Sequence, residues 1–345
     1  MPSEEAAPIS YGVDVSNSVT QLNQTIESRQ RFNPLRAAGG VLLPIAAIVV
    51  LVVLFSFLAP SFFQFNTLLA ILRESSVLLV VALGMTFVVL MGSIDLSVGA
   101  IVTLSALVAA TVAKDGNVFV AIAAGLAVGI VAGAINGILF AYVKVPSFLA
   151  TLGMSLVVGG IGLWFVGGRP VQVFNPDFTW ISQGRFLFGF PNIAVWAILL
   201  WIIFSVIGSK SRFGRYTYAI GGAEAVSGLA GIPIRRMKLL VLILSGALAA
   251  LAGILLASRV GAATPGMGDR LTLDSIAAVV MGGTALTGGV GGVYRTILGV
   301  LVITTLTVGL NTLGVVPYMQ DIIQGAVVIL AVALTLDRSK LTVIK

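Results

Sequence analysis

The sequence predicts an all-α polytopic membrane protein with about ten transmembrane helices. Of its 345 residues, 58% are hydrophobic and only 10% are charged, and the mean hydropathy is +1.09. Soluble domains carry about 25% charged residues, and a membrane-spanning helix needs about 20 predominantly apolar residues. Apolar runs of about this length recur from residue 38 to residue 338, separated by short polar segments. Membrane lipid is therefore the expected surrounding of most of the chain.

The first element is a polar N-terminal segment, residues 1–37, which cannot span a membrane. It lacks a basic region followed by an apolar core and a small-residue cleavage site, so it is not predicted to be a signal peptide. Its composition favours a flexible tail. A second short polar tail, residues 339–345, is expected at the C-terminus.

Ten apolar segments between the tails are predicted to cross the membrane and to form one permease domain, residues 38–338. The eighth is short and is interrupted by Gly282, Gly283 and Gly288, with Gly289 directly after it, so we expect it to be re-entrant or tilted. The ten segments are 38–59, 67–91, 96–113, 118–142, 147–166, 193–209, 239–258, 272–288, 294–313 and 319–336.

The distribution of Lys and Arg predicts the orientation of the chain. With the N-terminus inside, fourteen of the 20 basic residues lie on the cytoplasmic side and six lie outside, which agrees with the positive-inside rule. Ten spans then place both tails in the cytoplasm. The longest outer loop, 167–192, is aromatic and Pro-rich, and is either a docking surface for an external partner or an ordinary interfacial loop.

Composition and motifs argue against several classes of function. The chain has no cysteine and no histidine, so disulfides, thiolate chemistry and the commonest metal ligands and general bases are not expected. The net charge of +7 comes from basic residues between apolar runs, which is typical of membrane topology and not of nucleic-acid binding. No Gly-Lys pair occurs, so the phosphate-binding P-loop is missing. We predict no catalytic residue, no metal and no cofactor.

The string Gly92-Ser-Ile-Asp-Leu-Ser-Val-Gly99 places one carboxylate between two apolar runs. A carboxylate at membrane depth is costly unless it lies near an interface, has a partner or meets water. We predict a helix break at Gly92 and Gly99, with Asp95 or Ser97 capping the next helix. The alternative is a charge that simply sits at the cytoplasmic mouth of two spans.

Residues 210–238 form the longest predicted cytoplasmic loop. Within it, Val226, Leu229 and Ile232 recur at three-residue spacing, which predicts a short amphipathic helix between Ala223 and Gly231. Its basic flanks could bind anionic lipid. This helix is either a mechanical coupling element or a linker that rests on the membrane.

Neutral polar side chains within the spans are candidates for lining a transport pathway, because an uncharged substrate needs hydrogen-bond donors and acceptors. The alternative is that they bond their own backbone or join neighbouring helices. The carboxylates of the spans all lie near span ends, which argues against a proton-coupled transporter. The candidates are Ser76, Thr86, Asn136, Thr151, Ser155 and Thr284.

Four blocks, in order along residues 38–338, closely resemble the ribose permease group, the sugar-importing permeases of bacterial ABC transporters. The first is the string from Gly92 to Gly99. The others are Pro146–Gly153 (PSFLATLG), Gly214–Ala225 (GRYTYAIGGAEA) and Leu273–Thr284 (LDSIAAVVMGGT). One such block would be weak evidence for this resemblance, whereas four blocks in the same order are strong evidence.

The resemblance implies a fold like that of the type II importer permeases, in the bacterial inner membrane, and import of a monosaccharide by alternating access. It implies three partners: a cytoplasmic ATP-binding subunit that hydrolyses ATP, a periplasmic sugar-binding protein, and a second permease copy or paralogue. The resemblance assigns the role of the family's coupling helix to loop 210–238. Within the loop, this role is assigned to Gly221, Gly222, Glu224 and Gly231. Import of nucleosides or branched-chain amino acids, or transport without ATP, remain alternatives.

Overall fold

The computed structural model describes residues 34–186 and 189–335. The C-terminal tail and residues 1–33 of the N-terminal one lie outside this part. The helices are α1 (Pro34–Leu58), α2 (Phe65–Leu90), α3 (Val98–Asp115), α4 (Val118–Ile138), α5 (Ser147–Val166), α6 (Pro176–Gln183), α7 (Asn192–Lys210), α8 (Arg212–Gly222), α9 (Glu224–Leu229), α10 (Ile234–Val260), α11 (Asp269–Met281), α12 (Thr296–Thr312) and α13 (Pro317–Thr335).

Each of the ten predicted spans overlaps one of these helices. In the described part, seven helices are long and apolar enough to cross a membrane, and Val98–Lys114 forms a shorter apolar helix. The chain is therefore an all-α polytopic membrane protein, while the number of spans stays a prediction. Helix α1 begins at Pro34, so the last four residues of the predicted flexible tail are helical.

The eighth predicted span differs most from the structure, because α11 ends at Met281 and not at residue 288. Gly283, Gly288 and Gly289 follow with φ angles of +83°, +82° and +72°. These left-handed conformations cannot continue a right-handed helix and are readily adopted only by glycine. Residues 282–292 are therefore a loop, and the prediction of one helix through this run was wrong in its length.

Helix α10 lies at the centre of the bundle and packs against α4, α3 and α2. Glycines allow its backbone to approach α4 closely: a Cβ added at Gly133 would lie 3.0 Å from the Ile243 Cα, and one added at Gly129 would overlap the Gly246 carbonyl. Small residues at such crossings supply the close packing that joins helices in lipid, where burial of apolar surface gives no drive for association.

Helix α2 is buried continuously from Ser75 to Leu90, whereas α5 keeps large apolar side chains on its surface. Leu156 is 74% exposed and Trp164 is 82% exposed. A soluble protein rarely leaves apolar patches of this kind in water. The pattern is typical of a bundle whose outer helices contact lipid.

The predicted outer loop, 167–192, is largely structured where it is described. Residues Val171–Gln172 (β1) pair antiparallel with Ala262–Ala263 (β2). Helix α6 follows, and the Ser182 hydroxyl donates to the Leu255 carbonyl at 2.8 Å. The loop thus packs onto the C-terminal end of α10. We call this side of the bundle the α6 end.

The close crossing of α4 and α10 makes the effect of a bulky residue predictable. Gly129→Val should lower the thermal midpoint of the purified protein in mild detergent, since overpacking costs about 1–3 kcal/mol. Gly153→Val on α5 is the matched control, because a Cβ there meets nothing within 4 Å. The thermal midpoints are measured by tryptophan fluorescence. Equal midpoints for the two variants would contradict this account of the crossing.

Candidate functional site

The loop predicted at residues 210–238 contains two helices, where the sequence pattern indicated one. Helix α8 begins after Ser211, whose hydroxyl accepts a hydrogen bond from the Gly214 amide at 3.1 Å. Helix α9 is the predicted amphipathic helix, shortened to Glu224–Leu229. It ends through Gly231, at φ +78°, and the Ile232 amide donates to the Ser227 carbonyl at 3.1 Å. We call α8 and α9 together the coupling segment.

Helix α9 presents an apolar face outward. Val226 is 64% exposed and Leu229 is 92% exposed, whereas Ser227 is buried. The Glu224 side chain is held in an ion pair, since its Oε1 accepts a hydrogen bond from the Lys238 Nζ at 2.7 Å. The same Nζ lies 4.4 Å from the centre of the Phe140 ring. The ion pair orients α9 against the start of α10 and leaves Val226 and Leu229 available to a partner.

Glycines bring the coupling segment into backbone contact with two other parts of the chain. A Cβ at Gly221 would overlap the Leu90 carbonyl oxygen and lie 2.6 Å from the Gly289 amide nitrogen. The Gly289 amide donates to that same Leu90 carbonyl at 2.8 Å. A Cβ at Gly288 would lie 2.7 Å from the Cα of Gly92. We call this contact of the α2 end, the α8 end and the loop 282–292 the glycine junction.

A side chain adds a second link between the coupling segment and the loop 282–292. The Tyr218 hydroxyl donates to the Gly291 carbonyl at 3.2 Å. Burial raises the pKa of Tyr218 above its usual value, so the phenol keeps its proton and remains the donor at neutral pH. Helix α8 is therefore joined to this loop by a close backbone contact and by a side-chain hydrogen bond.

Asp95 is buried, with 1% exposure, and is fully engaged in hydrogen bonds. Its Oδ1 accepts from the amide of Ser97 at 2.9 Å and from the hydroxyl of Ser97 at 2.6 Å. Its Oδ2 accepts from the Ser245 hydroxyl on α10 at 2.8 Å. The structure thus favours a partnered buried carboxylate over a charge at an open mouth. Asp95 satisfies the turn and joins it to the central helix.

The break lies between Leu90 and Val98, so Gly92 is in it but Gly99 is already in α3, and the predicted side-chain cap is wrong. Gly92 is left-handed, at φ +76°, and α3 begins after Ser97. The Ser97 side chain makes no capping bond to α3. It donates to Asp95 instead and accepts from the Asn136 side-chain amide at 2.9 Å. The Gly99 amide donates to the Thr272 hydroxyl at 3.0 Å, so this turn also contacts α11.

Most of the neutral pathway candidates form hydrogen bonds within the chain. Ser76 and Thr86 donate to the carbonyls of Leu72 and Ala82, both at 2.6 Å. Thr151 donates to the Ser147 carbonyl at 2.9 Å. Ser155 is partly exposed. Their role in a pathway stays a prediction.

Two candidates retain a buried polar oxygen without a partner among the described residues. These are the Asn136 Oδ1 and the Thr284 Oγ1. Thr284 packs against Gly291, where an added Cβ would lie 2.5 Å from its Oγ1. An unmet acceptor of this kind costs free energy unless a water or another group reaches it.

Sequence reasoning missed the partners of these residues. The glycines of the 282–292 run were noted, but nothing in a single sequence pairs Gly288 with Gly92 or Gly289 with Gly221. Ser245 and Thr272 were likewise not connected with the string around Asp95. Such contacts join residues that are far apart in the sequence, and no periodic pattern encodes them.

Truncation of Asp95 should be far more damaging than its conversion to an amide. Asp95→Ala leaves buried donors on Ser97 and Ser245 unsatisfied, at about 1–3 kcal/mol each. Asp95→Asn keeps an oxygen for Ser97, while the Ser245 hydroxyl can rotate to accept. We expect a large loss of thermal stability for Ala and a small loss for Asn. Similar midpoints for the two variants would contradict the role of the network.

Comparison with known proteins agrees with the resemblance noted above. Residues 67–332 match the family described as branched-chain amino acid transport system / permease component. The ribose import permease protein RbsC of Escherichia coli is 42% identical, over 83% of this chain and 90% of its own length. RbsC of Bacillus subtilis is 41% identical over 93% and 99%. The galactose/methyl galactoside import permease protein MglC of Salmonella typhimurium is 36% identical over 86% and 93%.

No solved structure matches the chain, so the likeness to type II importer permeases stays a prediction. The family match covers most of the helical bundle, including the glycine junction and the Asp95 turn. Together with the apolar helices, it identifies a multi-pass protein of the bacterial inner membrane. The chain belongs to the family of permease components of ABC transport systems, and its relatives are transport subunits.

Proposed function

We propose that this chain is the permease subunit of an ATP-driven importer for a monosaccharide such as ribose, with both termini in the cytoplasm. The coupling segment is then cytoplasmic, and the α6 end faces outward. The relatives named for ribose and galactose import support a sugar over the amino acids in the family's name. Transport without ATP is the less favoured alternative.

The observation that carries the proposal is the exposed apolar face of α9 at one side of the glycine junction. Val226 and Leu229 project from the bundle, and exposed apolar side chains on a short helix are suited to a cleft in another protein. We assign that cleft to the cytoplasmic ATP-binding subunit, which supplies the ATP hydrolysis that this chain lacks motifs to perform. A periplasmic sugar-binding protein delivers the substrate at the α6 end.

The coupling role follows from the way the segment is attached. Gly221 touches both the carbonyl of Leu90 and the amide of Gly289, so α8 cannot shift without displacing the end of α2 or the loop after α11. Packed interfaces of this kind respond as switches between discrete arrangements. A second copy or a paralogue completes the pathway, and the apolar surfaces of α5 and α1 are available to that partner or to lipid.

The test of the proposal is reconstitution of the permease with its co-purifying ATP-binding subunit in lipid vesicles. ATP hydrolysis and uptake of labelled D-ribose, D-galactose and L-leucine are measured with candidate loaded binding proteins. We expect one sugar-loaded binding protein to stimulate both activities. Stimulation by leucine would favour the amino acid alternative. Uptake that persists without ATP would overturn the proposal.

Variants of two neighbouring glycines, Gly221 and Gly222, distinguish an effect of close packing from an effect of helix flexibility in the coupling segment. Gly221→Ala should abolish stimulation of ATP hydrolysis by loaded binding protein, because its Cβ overlaps the Leu90 carbonyl. Gly222→Ala should retain stimulation, because a Cβ there meets nothing within 4 Å. The ATP-binding subunit should co-purify with both variants. Equal loss in both would contradict the proposed contact.

A further inference from the structure

A polar cavity of about 170 Å³ lies among α2, α10, α11 and α12 toward the α6 end. Its charged lining consists of Glu74, Arg259, Arg270 and Asp274, and apolar side chains such as Leu78 and Ile303 complete it. Since a water occupies about 30 Å³, the cavity has room for about six. That is below the roughly 300 Å³ of a drug-sized site and suits a small polyol.

Three of the four charged side chains that line the cavity are ion-paired, whereas Asp274 accepts a hydrogen bond from the neutral Gln324 side chain. The Arg259 guanidinium lies 2.7 Å from the Glu74 Oε2, and the Arg270 guanidinium lies 2.7 Å from the Asp321 Oδ1. The carboxylate of a ligand such as an amino acid would have to compete with Glu74 and Asp321 for the two guanidinium groups. A neutral ligand need only add hydrogen bonds to the lone pairs and N–H groups that remain.

Two carboxylate oxygens at the cavity are left for such a ligand. The Glu74 Oε2 is bonded by Arg259, and the Asp274 Oδ1 accepts from the Gln324 side chain at 2.7 Å. Within residues 34–186 and 189–335, no donor bonds Glu74 Oε1 or Asp274 Oδ2. A hydroxyl that donates to a carboxylate forms a strong, charge-assisted hydrogen bond. No group of three or more His, Cys, Asp or Glu in the described part could bind a metal ion, which favours a hydroxylated ligand over a cation.

The lining also suits a ligand that must leave again. Aliphatic side chains and Met267 offer apolar surface to the C–H groups of a sugar ring, and no aromatic ring lines the cavity. Without aromatic stacking the affinity should be modest, and a transport pathway requires binding that is weak enough for release. The Glu74 and Arg259 side chains are 45% and 25% exposed, so the polar groups are accessible from the surface.

The position of the cavity links it to the coupling segment. Helix α2 contributes Glu74 to the cavity and ends at Leu90 in the glycine junction, and α11 contributes Asp274 and leads to Gly288 and Gly289. The coupling segment thus contacts the end of α2 and the loop that follows α11, and both of these helices enclose the cavity. A shift of α8 would change the spacing of α2 and α11 around a bound ligand.

We infer that this cavity is a transient monosaccharide site of the permease, where the hydroxyls of the sugar donate to Glu74 and Asp274 and the sugar is released when the coupling segment moves α2 relative to α11. The inference rests on the proposed import of a monosaccharide. It assigns a substrate contact to the permease itself, in addition to any recognition by a binding protein.

The absence of cysteine from the sequence permits a direct test, since Thr307→Cys places the sole thiol of the chain in the cavity lining. The rate of modification by a membrane-impermeant thiol reagent is measured in the assembled transporter with its binding protein. We expect D-ribose to slow the reaction, while L-leucine does not. Val316→Cys, an exposed position outside the lining, is the control and should react equally with and without ribose.

Asp274→Asn provides the second arm. The amide keeps an oxygen for Gln324, so folding should be preserved, but it replaces the free carboxylate oxygen with an N–H donor. We expect about tenfold slower D-ribose uptake at saturating binding protein, the cost of one good hydrogen bond, with ATP hydrolysis still stimulated. Asp177→Asn, at an exposed position on α6 outside the lining, is the matched control and should import at nearly the rate of the original protein.

The outcomes separate this inference from the proposed function. If the unmodified transporter imports ribose but ribose does not slow labelling of Thr307→Cys, or Asp274→Asn imports normally, the cavity is a structural ion-pair cluster only and the inference is overturned. If no sugar is imported by the unmodified transporter, the proposed function itself fails. Slowed labelling together with slowed import in Asp274→Asn supports both.

Discussion

The contact on which the rest of the structure depends is the backbone-to-backbone approach at the glycine junction. The hydrogen bond from the Gly289 amide to the Leu90 carbonyl ties the loop after α11 to the end of α2. Gly221 fills the remaining space so closely that even a methyl group would collide. Backbone segments in direct contact cannot shift independently, because protein interiors are closely packed and transmit strain. The junction therefore lets a small segment outside the bundle act on two of its helices at once.

The hydrogen-bond network around Asp95 stabilises a break between two helices inside an apolar bundle. The turn between α2 and α3 exposes backbone groups that lipid cannot satisfy. Asp95 bonds the amide of Ser97, and Ser245 bonds Asp95, so the turn is fixed to the central helix α10. Asn136 extends the same network to α4. A single carboxylate thus orients three elements around the point where α2 ends.

The sequence predicted the helical architecture well because apolar length is a local property. It located the break at Gly92, the amphipathic helix with Val226 and Leu229, and the irregular eighth segment. It overextended that segment, since hydropathy does not register the left-handed conformations of Gly283 and Gly288. It missed α8 although Arg212–Gly222 is strongly amphipathic, so the helical period was present in the sequence and this helix could have been predicted. The hydrogen-bond partners of Asp95 could not be predicted, because contacts across the bundle are decided by helix packing and not by the spacing of residues in the sequence.

These features together constrain how the bundle can move. The central helix α10 is locked to α4 by glycine crossings and to the Asp95 turn by a hydrogen bond, so it is the poorest candidate for displacement. The end of α2 and the loop after α11 meet the coupling segment instead, and the loop makes this contact through Gly288 and Gly289, which have no side chains that could interlock. Motion is then expected between α11 and the fixed core of α10 and α4. Because α11 carries Asp274 at the cavity, the same displacement that starts at Gly221 reaches the polar cavity at the opposite end of the bundle.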